Sequence, residues 1–170
     1  QFQVFPDVLT EPEQYTGVLD ARNLRMMAEK AAAQGMTEED IRKAIEASGM
    51  LSRLAYKAEI EAAMRTEGLE GTALVGMMNA LGDPKPYDFA DPAEFSNFFS
   101  PVVPLLEIEK FCWTSAETLT GKLRLFNYSQ GDLEGEIAYK LTDRDGKVFY
   151  EGKTGSARFE QGSVTQAGVL

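Results

Sequence analysis

The chain is 170 residues long, with 44% hydrophobic residues and a formal net charge of −10. This composition is typical of a globular protein, and the acidic balance without any basic run argues against nucleic acid or an anionic membrane surface as a partner. The sequence has no histidine and one cysteine, which excludes Ser-His-Asp and Cys-His catalysis, an internal disulfide and a closed zinc site.

Two further absences concern targeting. No apolar run reaches the ~18 residues that a membrane-spanning helix needs, and no signal peptide is visible. Because the sequence opens on Gln1 without an initiator methionine, we expect it to be part of something longer. No metal and no cofactor is expected.

The N-terminal part begins with a short predicted strand over Gln1 to Phe5, where apolar residues alternate around Val4. A helix is predicted over Ala21 to Gln34, because its apolar residues recur at i, i+3, i+4 and i+7. Asp20 is the expected N-cap, and Gly35 the residue that ends the helix.

A second helical region begins at Thr37, where Asp40 completes a weak capping box. The pair Ser48-Gly49 is expected to interrupt it, since both residues disfavour helix interiors. Helix then resumes at about Met50 and fades by Gly68.

The next elements are shorter. Residues Thr72 to Leu81 predict a buried helix, and Asp83 to Pro92 a proline-punctuated loop. Pro92 opens one more short helix. Pro101 and Pro104 end the helical part and mark the expected domain boundary.

From Leu105 the apolar period changes from 3.6 residues to 2. Strands are predicted around Leu119 to Leu125, Ile137 to Thr142 and Val148 to Tyr150, with a tight turn at Asp145-Gly146. Only about five or six strands fit here, whereas an immunoglobulin-like sandwich has about seven, so we expect the sandwich to continue beyond this chain.

Two segments carry a resemblance to a known family: Gln14 to Met36, QYTGVLDARNLRMMAEKAAAQGM, and Tyr56 to Leu81, YKAEIEAAMRTEGLEGTALVGMMNAL. They resemble glycoside hydrolase family 2, the β-galactosidase/β-glucuronidase superfamily, in the branch often labelled "sugar-binding domain" hydrolases. The resemblance implies an α+β multidomain fold: residues 1–100 as the late part of an (α/β)8 TIM barrel, and residues 105–170 as an antiparallel immunoglobulin-like β-sandwich.

The resemblance also implies an activity for the parent protein, which would hydrolyse a terminal glycosidic bond with retention by two carboxylates. In the family a catalytic glutamate lies in a His-Glu-x-Gly-Gln stretch, and Gln1-Phe2 resembles the pair just after it. No catalytic residue therefore falls within this chain, and we expect it to be inactive alone. Relatives also carry an additional strand and loop between Gly71 and Thr72, without which a barrel cannot close in its usual pattern.

Two residues are candidate sugar contacts. Tyr15 lies in the loop after a presumed barrel strand, where function concentrates, and Arg65 at the end of a helix can reach a substrate hydroxyl or a carboxylate. The competing interpretation of Arg65 is a cation that complements the helix dipole.

The aromatic residues of the second half have two interpretations as well. Phe126, Tyr128, Tyr139 and Trp113 are either a platform for a sugar ring or sandwich core, and core is favoured. Cys112 is expected to be a small buried hydrophobe.

The expected partner is thus a carbohydrate or glycoside, with a periplasmic or secreted location if the chain is like its polysaccharide-degrading relatives. The alternative function is a non-catalytic carbohydrate-binding or interaction module, and a third is a structural domain without a ligand. Self-association is expected through the apolar faces of the helices Ala21 to Gln34 and Met50 to Thr66.

Overall fold

The computed structural model describes residues 4–15, 17–18, 20–66, 68–69, 72 and 92–170. The chain divides into two compact units. The first comprises Gln1–Glu59 and Ala73–Ser96, and the second Ile60–Thr72 and Asn97–Leu170. The prediction of a short strand over Gln1 to Phe5 lies partly outside the described residues, and Val4 and Phe5 are not in a strand. The helix predicted over Thr72 to Leu81 falls almost entirely outside them.

The first unit is helical. It contains a 3-10 helix, Glu11–Gln14, followed by α1, Arg22–Ala33, most of α2, Glu38–Arg65, and the short α3, Pro92–Ser96. The 12 residues of α1 and the 28 of α2 follow one another with four residues between them. Their apolar faces bury one cluster, formed by Val8, Ala31, Ile41 and Ile45.

The predicted boundaries of α1 are confirmed at its C-terminal end only. Gly35 has a φ of +78°, the left-handed conformation that glycine adopts without steric cost after a helix. At the other end Ala21, rather than Asp20, is the N-cap, and no side chain caps the helix. The Asp20 carboxylate instead accepts a hydrogen bond from Nε of Arg25 at 3.1 Å.

The capping box of α2 is confirmed. The N–H of Thr37 donates to the Asp40 carboxylate at 2.8 Å, and the N–H of Asp40 donates to the Thr37 hydroxyl at 3.2 Å. These two bonds satisfy N–H groups that have no partner within the helix.

The predicted interruption at Ser48-Gly49 is wrong, since α2 is continuous from Glu38 to Arg65. The Ser48 hydroxyl donates to the carbonyl of Ile45 at 3.0 Å and accepts the N–H of Phe5 at 2.7 Å. A serine that satisfies its hydroxyl in this way is tolerated inside a helix.

The second unit is built mainly from strands. In chain order they are β1 (Val102–Ile108), β2 (Gly121–Asn127), β3 (Leu133–Gly135), β4 (Ala138–Thr142), β5 (Val148–Lys153), β6 (Ala157–Phe159) and β7 (Ser163–Val169). They form a three-stranded sheet in the order β1-β2-β7 and two pairs, β3-β6 and β4-β5. The predicted strands around 119–125, 137–142 and 148–150 correspond to β2, β4 and β5. Gly146 has the expected positive φ, +83°, in the turn between β4 and β5.

The predicted fold class, a partial TIM barrel followed by an immunoglobulin-like sandwich, is wrong. Every strand pair in the described residues is antiparallel, whereas a barrel requires parallel strands alternating with helices. The described part of the chain holds three α-helices, and α1 and α2 have no strand between them. In its described residues the chain therefore consists of a small helical unit and a unit of short antiparallel sheets.

The strand unit has its own core. Strand β2 alternates between buried Leu123, Leu125 and Asn127 on one face and more accessible residues on the other. Ile137 and Phe159 complete the buried cluster. One face of β2 therefore packs in the core, and the other face is accessible to solvent.

Candidate functional site

An open cleft in the strand unit combines aromatic rings with hydroxyl groups. We call it the aromatic cleft; its volume is about 380 Å³. This lies within the range of about 300 to 1,000 Å³ that is usual for small-molecule sites. Its lining residues are Ala63, Met64, Leu69, Thr72, Phe99, Ser100, Pro101, Phe126 and Tyr128.

The end of β2 provides the wall of this cleft. Phe126 and Tyr128 are two residues apart, so their side chains project from the same face of the extended chain. Their rings stack at 4.4 Å between centroids with an interplanar angle of 14°. The N–H of Tyr128 donates to the carbonyl of Pro101 at 2.7 Å, which continues the β1-β2 ladder and holds the backbone from which the ring projects.

The stacked pair remains accessible to a ligand. Tyr128 is 48% exposed, and Phe99, which also lines the cleft, is 45% exposed. An aromatic face offers a flat apolar surface with a negative quadrupole, which attracts polarised C–H groups. The cleft can thus accept a flat ligand that presents C–H groups to the rings.

Hydroxyl groups border the same rings. Ser100 donates its hydroxyl to the carbonyl of Val102 at 2.8 Å, which leaves its oxygen free to accept a hydrogen bond. Thr72 is exposed and also lines the cleft. None of the described residues that line the cleft is charged, and its hydroxyls offer hydrogen-bond partners to a polyhydroxylated ligand.

The two predicted sugar contacts lie elsewhere. Tyr15 follows the 3-10 helix of the first unit and is 60% exposed. Arg65 is the last residue of α2, in the second unit, and its Nη1 lies 3.8 Å from Oε2 of Glu61. Neither residue lines the aromatic cleft, and their role in sugar binding stays a prediction.

The core interpretation of the aromatic residues is wrong for Tyr128, which is exposed. The sequence contained the signal: Phe126 and Tyr128 have the same parity as Lys122 and Arg124, the residues on the accessible face of β2. Phe99 was missed altogether, since it precedes the first strand and belongs to no periodic pattern.

Cys112 is also not buried as predicted. It is exposed, and its neighbour Phe111 is 82% exposed. The segment between β1 and β2 is held instead by Trp113, whose indole N–H donates to the carbonyl of Lys110 at 2.8 Å. This bond closes a local turn, so alternation in the sequence does not correspond to a strand here.

Comparison with known families gives one match. The family described as "Domain of unknown function (DUF8488)" matches residues 117–170, which include β2 to β7. A search of curated proteins finds no match. Among the described residues, no three His, Cys, Asp or Glu side chains are grouped as a metal site, and no helix is long and apolar enough to cross a membrane.

Proposed function

We propose that this chain is a carbohydrate-recognising part of a glycoside hydrolase that acts on terminal glycosidic bonds, and that the aromatic cleft contacts the sugar. The observation that carries the proposal is the stacked pair of half-buried Phe126 and exposed Tyr128, in the same cleft as the hydroxyl of Ser100. A pyranose ring has an apolar face of C–H groups and a rim of hydroxyls. The rings match the first, and the serine and threonine hydroxyls match the second.

The resemblance to glycoside hydrolase family 2 supports the same ligand class, although the described strands pair antiparallel and do not form the barrel that it implied. In the parent protein the two catalytic carboxylates would come from outside these residues. This chain would then hold part of the saccharide and leave bond cleavage to another segment. The alternative function is a carbohydrate-binding module without any catalytic partner. It also predicts that a sugar binds in the aromatic cleft.

The proposal is tested by calorimetric titration of the purified chain with the methyl glycosides of galactose, glucuronic acid and rhamnose. We expect binding of at least one of them, and no release of chromophore from the corresponding aryl glycosides. Tyr128→Ala should weaken binding about two- to tenfold, because an aromatic stacking contact contributes about 0.5 to 1.5 kcal/mol.

Two variants serve as controls. Tyr128→Phe keeps the ring and should retain affinity within about twofold if stacking is the main contact. Phe149→Ala removes an aromatic ring that is 61% exposed but lies outside the cleft, and should leave affinity unchanged. Equal loss in Tyr128→Ala and Phe149→Ala, or no binding of any glycoside, would refute the proposed site.

A further inference from the structure

The end of helix α2 adds an aliphatic part to the aromatic cleft. Ala63 and Met64, in the last turn of α2, and Leu69, which follows the helix, all line the cleft. We call these three residues the aliphatic wall. Ala63 and Met64 are half-buried, and Leu69 is 44% exposed. A ligand in the cleft therefore meets aliphatic groups as well as aromatic rings and hydroxyls.

A turn after α2 brings Leu69 to the cleft. The N–H of Thr66 donates to the carbonyl of Ala63 at 3.0 Å, and the N–H of Leu69 donates to the carbonyl of Thr66 at 3.4 Å. Gly68 has a φ of +76°, in the left-handed region that glycine adopts without steric cost. The chain turns here, and a residue beyond the helix lines the same cleft as two residues of its last turn.

The side chains of the aliphatic wall offer a ligand very little hydrogen bonding. Those of Ala63 and Leu69 have no polar atom, and the thioether of Met64 is only a weak acceptor. A ligand hydroxyl placed against them loses its bonds to water without replacement, which costs free energy. A methyl group placed there is removed from water, which is favourable. The wall therefore favours a methyl substituent over a hydroxyl.

Carbon 6 is the position at which common hexoses differ in this respect. It carries a hydroxyl in galactose and glucose, and it is a methyl group in the corresponding 6-deoxy sugars. The ring carbons 2, 3 and 4 carry hydroxyls in all four. The hydroxyls of Ser100 and Thr72, which line the same cleft, are suitable hydrogen-bond partners for such ring hydroxyls. The cleft thus has groups that match both parts of a 6-deoxy sugar.

We propose that the aromatic cleft selects a 6-deoxy sugar, whose methyl group contacts the aliphatic wall while its ring stacks on Tyr128. This selectivity rests on the proposed function, because it concerns the sugar bound in the same cleft. An N-acetyl group also ends in a methyl, but it brings an amide N–H and a carbonyl that both need partners. A carboxylate at carbon 6 would need donors, which the three side chains of the wall lack.

The test compares sugars that differ only at carbon 6. Methyl β-D-fucoside and methyl β-D-galactoside form one such pair, and methyl 6-deoxy-β-D-glucoside and methyl β-D-glucoside form another. Titration calorimetry measures the affinity of the purified chain for each glycoside. We expect the 6-deoxy member of a pair to bind about fourfold tighter or more, because burial of one methyl group contributes roughly that factor.

The substitution Met64→Gln tests whether the aliphatic wall is responsible. Glutamine resembles methionine in length and helix propensity, but its amide donates and accepts hydrogen bonds. The variant can therefore pair with the hydroxyl at carbon 6 and should lose the preference, so that both members of a pair bind within about twofold of each other. Circular dichroism checks that α2 is retained.

The substitution Met50→Gln is the matched control. Met50 lies on the same helix, is 54% exposed and does not line the cleft. The chemical change is the same as in Met64→Gln. The affinities for both members of a pair, and the preference for the 6-deoxy sugar, should therefore stay unchanged.

The outcomes separate the 6-deoxy selectivity from the proposed function. If the hydroxylated sugars bind as tightly as their 6-deoxy counterparts and Tyr128→Ala weakens both, the sugar site stands and the selectivity is wrong. A preference that Met64→Gln leaves unchanged, or that Met50→Gln removes equally, would also overturn the role of the wall. No binding of any of the four glycosides would refute the sugar site, and the selectivity with it.

Discussion

The side chain of Asn127 offers the sharpest test of what holds the strand unit together. Asn127 ends β2 and is fully buried, with 0% exposure. Its amide nitrogen donates to the carbonyls of Gly131 and Phe159, both at 3.0 Å. Its amide oxygen accepts the N–H of Ser129 at 3.1 Å and the hydroxyl of Ser129 at 2.7 Å. One side chain thus joins β2, the loop after it and β6.

Replacing Asn127 by alanine removes these four hydrogen bonds and leaves the buried carbonyl of Phe159 without this donor. At a net contribution of about 1 kcal/mol for each bond, the free energy of unfolding should fall by about 3 to 4 kcal/mol. The assay is urea denaturation followed by the fluorescence of Trp113, the single tryptophan, which lies in the same unit. A loss below about 1 kcal/mol would refute this account of the network.

The variant Asn127→Asp is the matched control, because it keeps the volume and the accepting oxygen. Its carboxylate would face the carbonyls of Gly131 and Phe159, so we expect its folded-state pKa to lie above the unfolded value. The folded state then favours the protonated form. The variant should be destabilised at pH 7 and recover stability as the pH falls through its folded-state pKa, whereas Asn127→Ala should show no such recovery.

Two further predictions concern other parts of the chain. A Cβ at Gly152 would lie 2.5 Å from the hydroxyl of Tyr139, so Gly152→Ala should displace that ring and cost about 1 to 3 kcal/mol in urea denaturation. Gly155→Ala, with no atom within 4 Å of the added Cβ, should cost less; equal losses would contradict the steric reason. Hydrogen bonds from the Thr37 side chain and backbone hold the pKa of Asp40 below its usual value, so in Thr37→Ala an NMR titration should show that pKa raised. An unchanged Asp40 pKa in that variant would refute the capping argument.

The local structure was largely predictable, since each element depends on residues close in sequence. The capping box Thr37/Asp40, the glycine after α1 and the alternation in β2 depend on spacings of one to four residues. The predicted helix break at Ser48-Gly49 was wrong because a contact distant in sequence is present there. A hydrogen bond from Phe5, 43 residues away, accompanies the serine that a local rule expected to break the helix.

The fold class could not be predicted from these local signals. Pairing such as Leu133 with Phe159, or Arg124 with Gln166, joins segments more than twenty residues apart. Period-2 alternation identifies a strand but not its neighbour. The family resemblance predicted parallel barrel strands between the helices of residues 1–100. The described residues of this part contain no such strands. For the site, the aromatic residues were assigned to the core as a set, whereas Phe126 and Tyr128 have the same parity as Lys122 and Arg124 on the accessible face of β2.

Three carboxylates whose pKa is lowered lie at a helix cap or in loops of this chain. The stability of these segments should therefore depend on pH. Hydrogen bonds from Thr37 lower the pKa of Asp40, those from Lys110 and Thr114 lower the pKa of Glu117, and the N–H of Gln161, with Arg158, lowers the pKa of Asp132. In each case the carboxylate accepts a backbone N–H that closes a cap or loop. A folded-state pKa below the unfolded one gives stability that is present above the unfolded value and is lost as the pH falls through the folded value. We therefore expect acid to weaken the cap of α2 and the loops beside β2 and β6, each as the pH falls through the folded-state pKa of its own carboxylate.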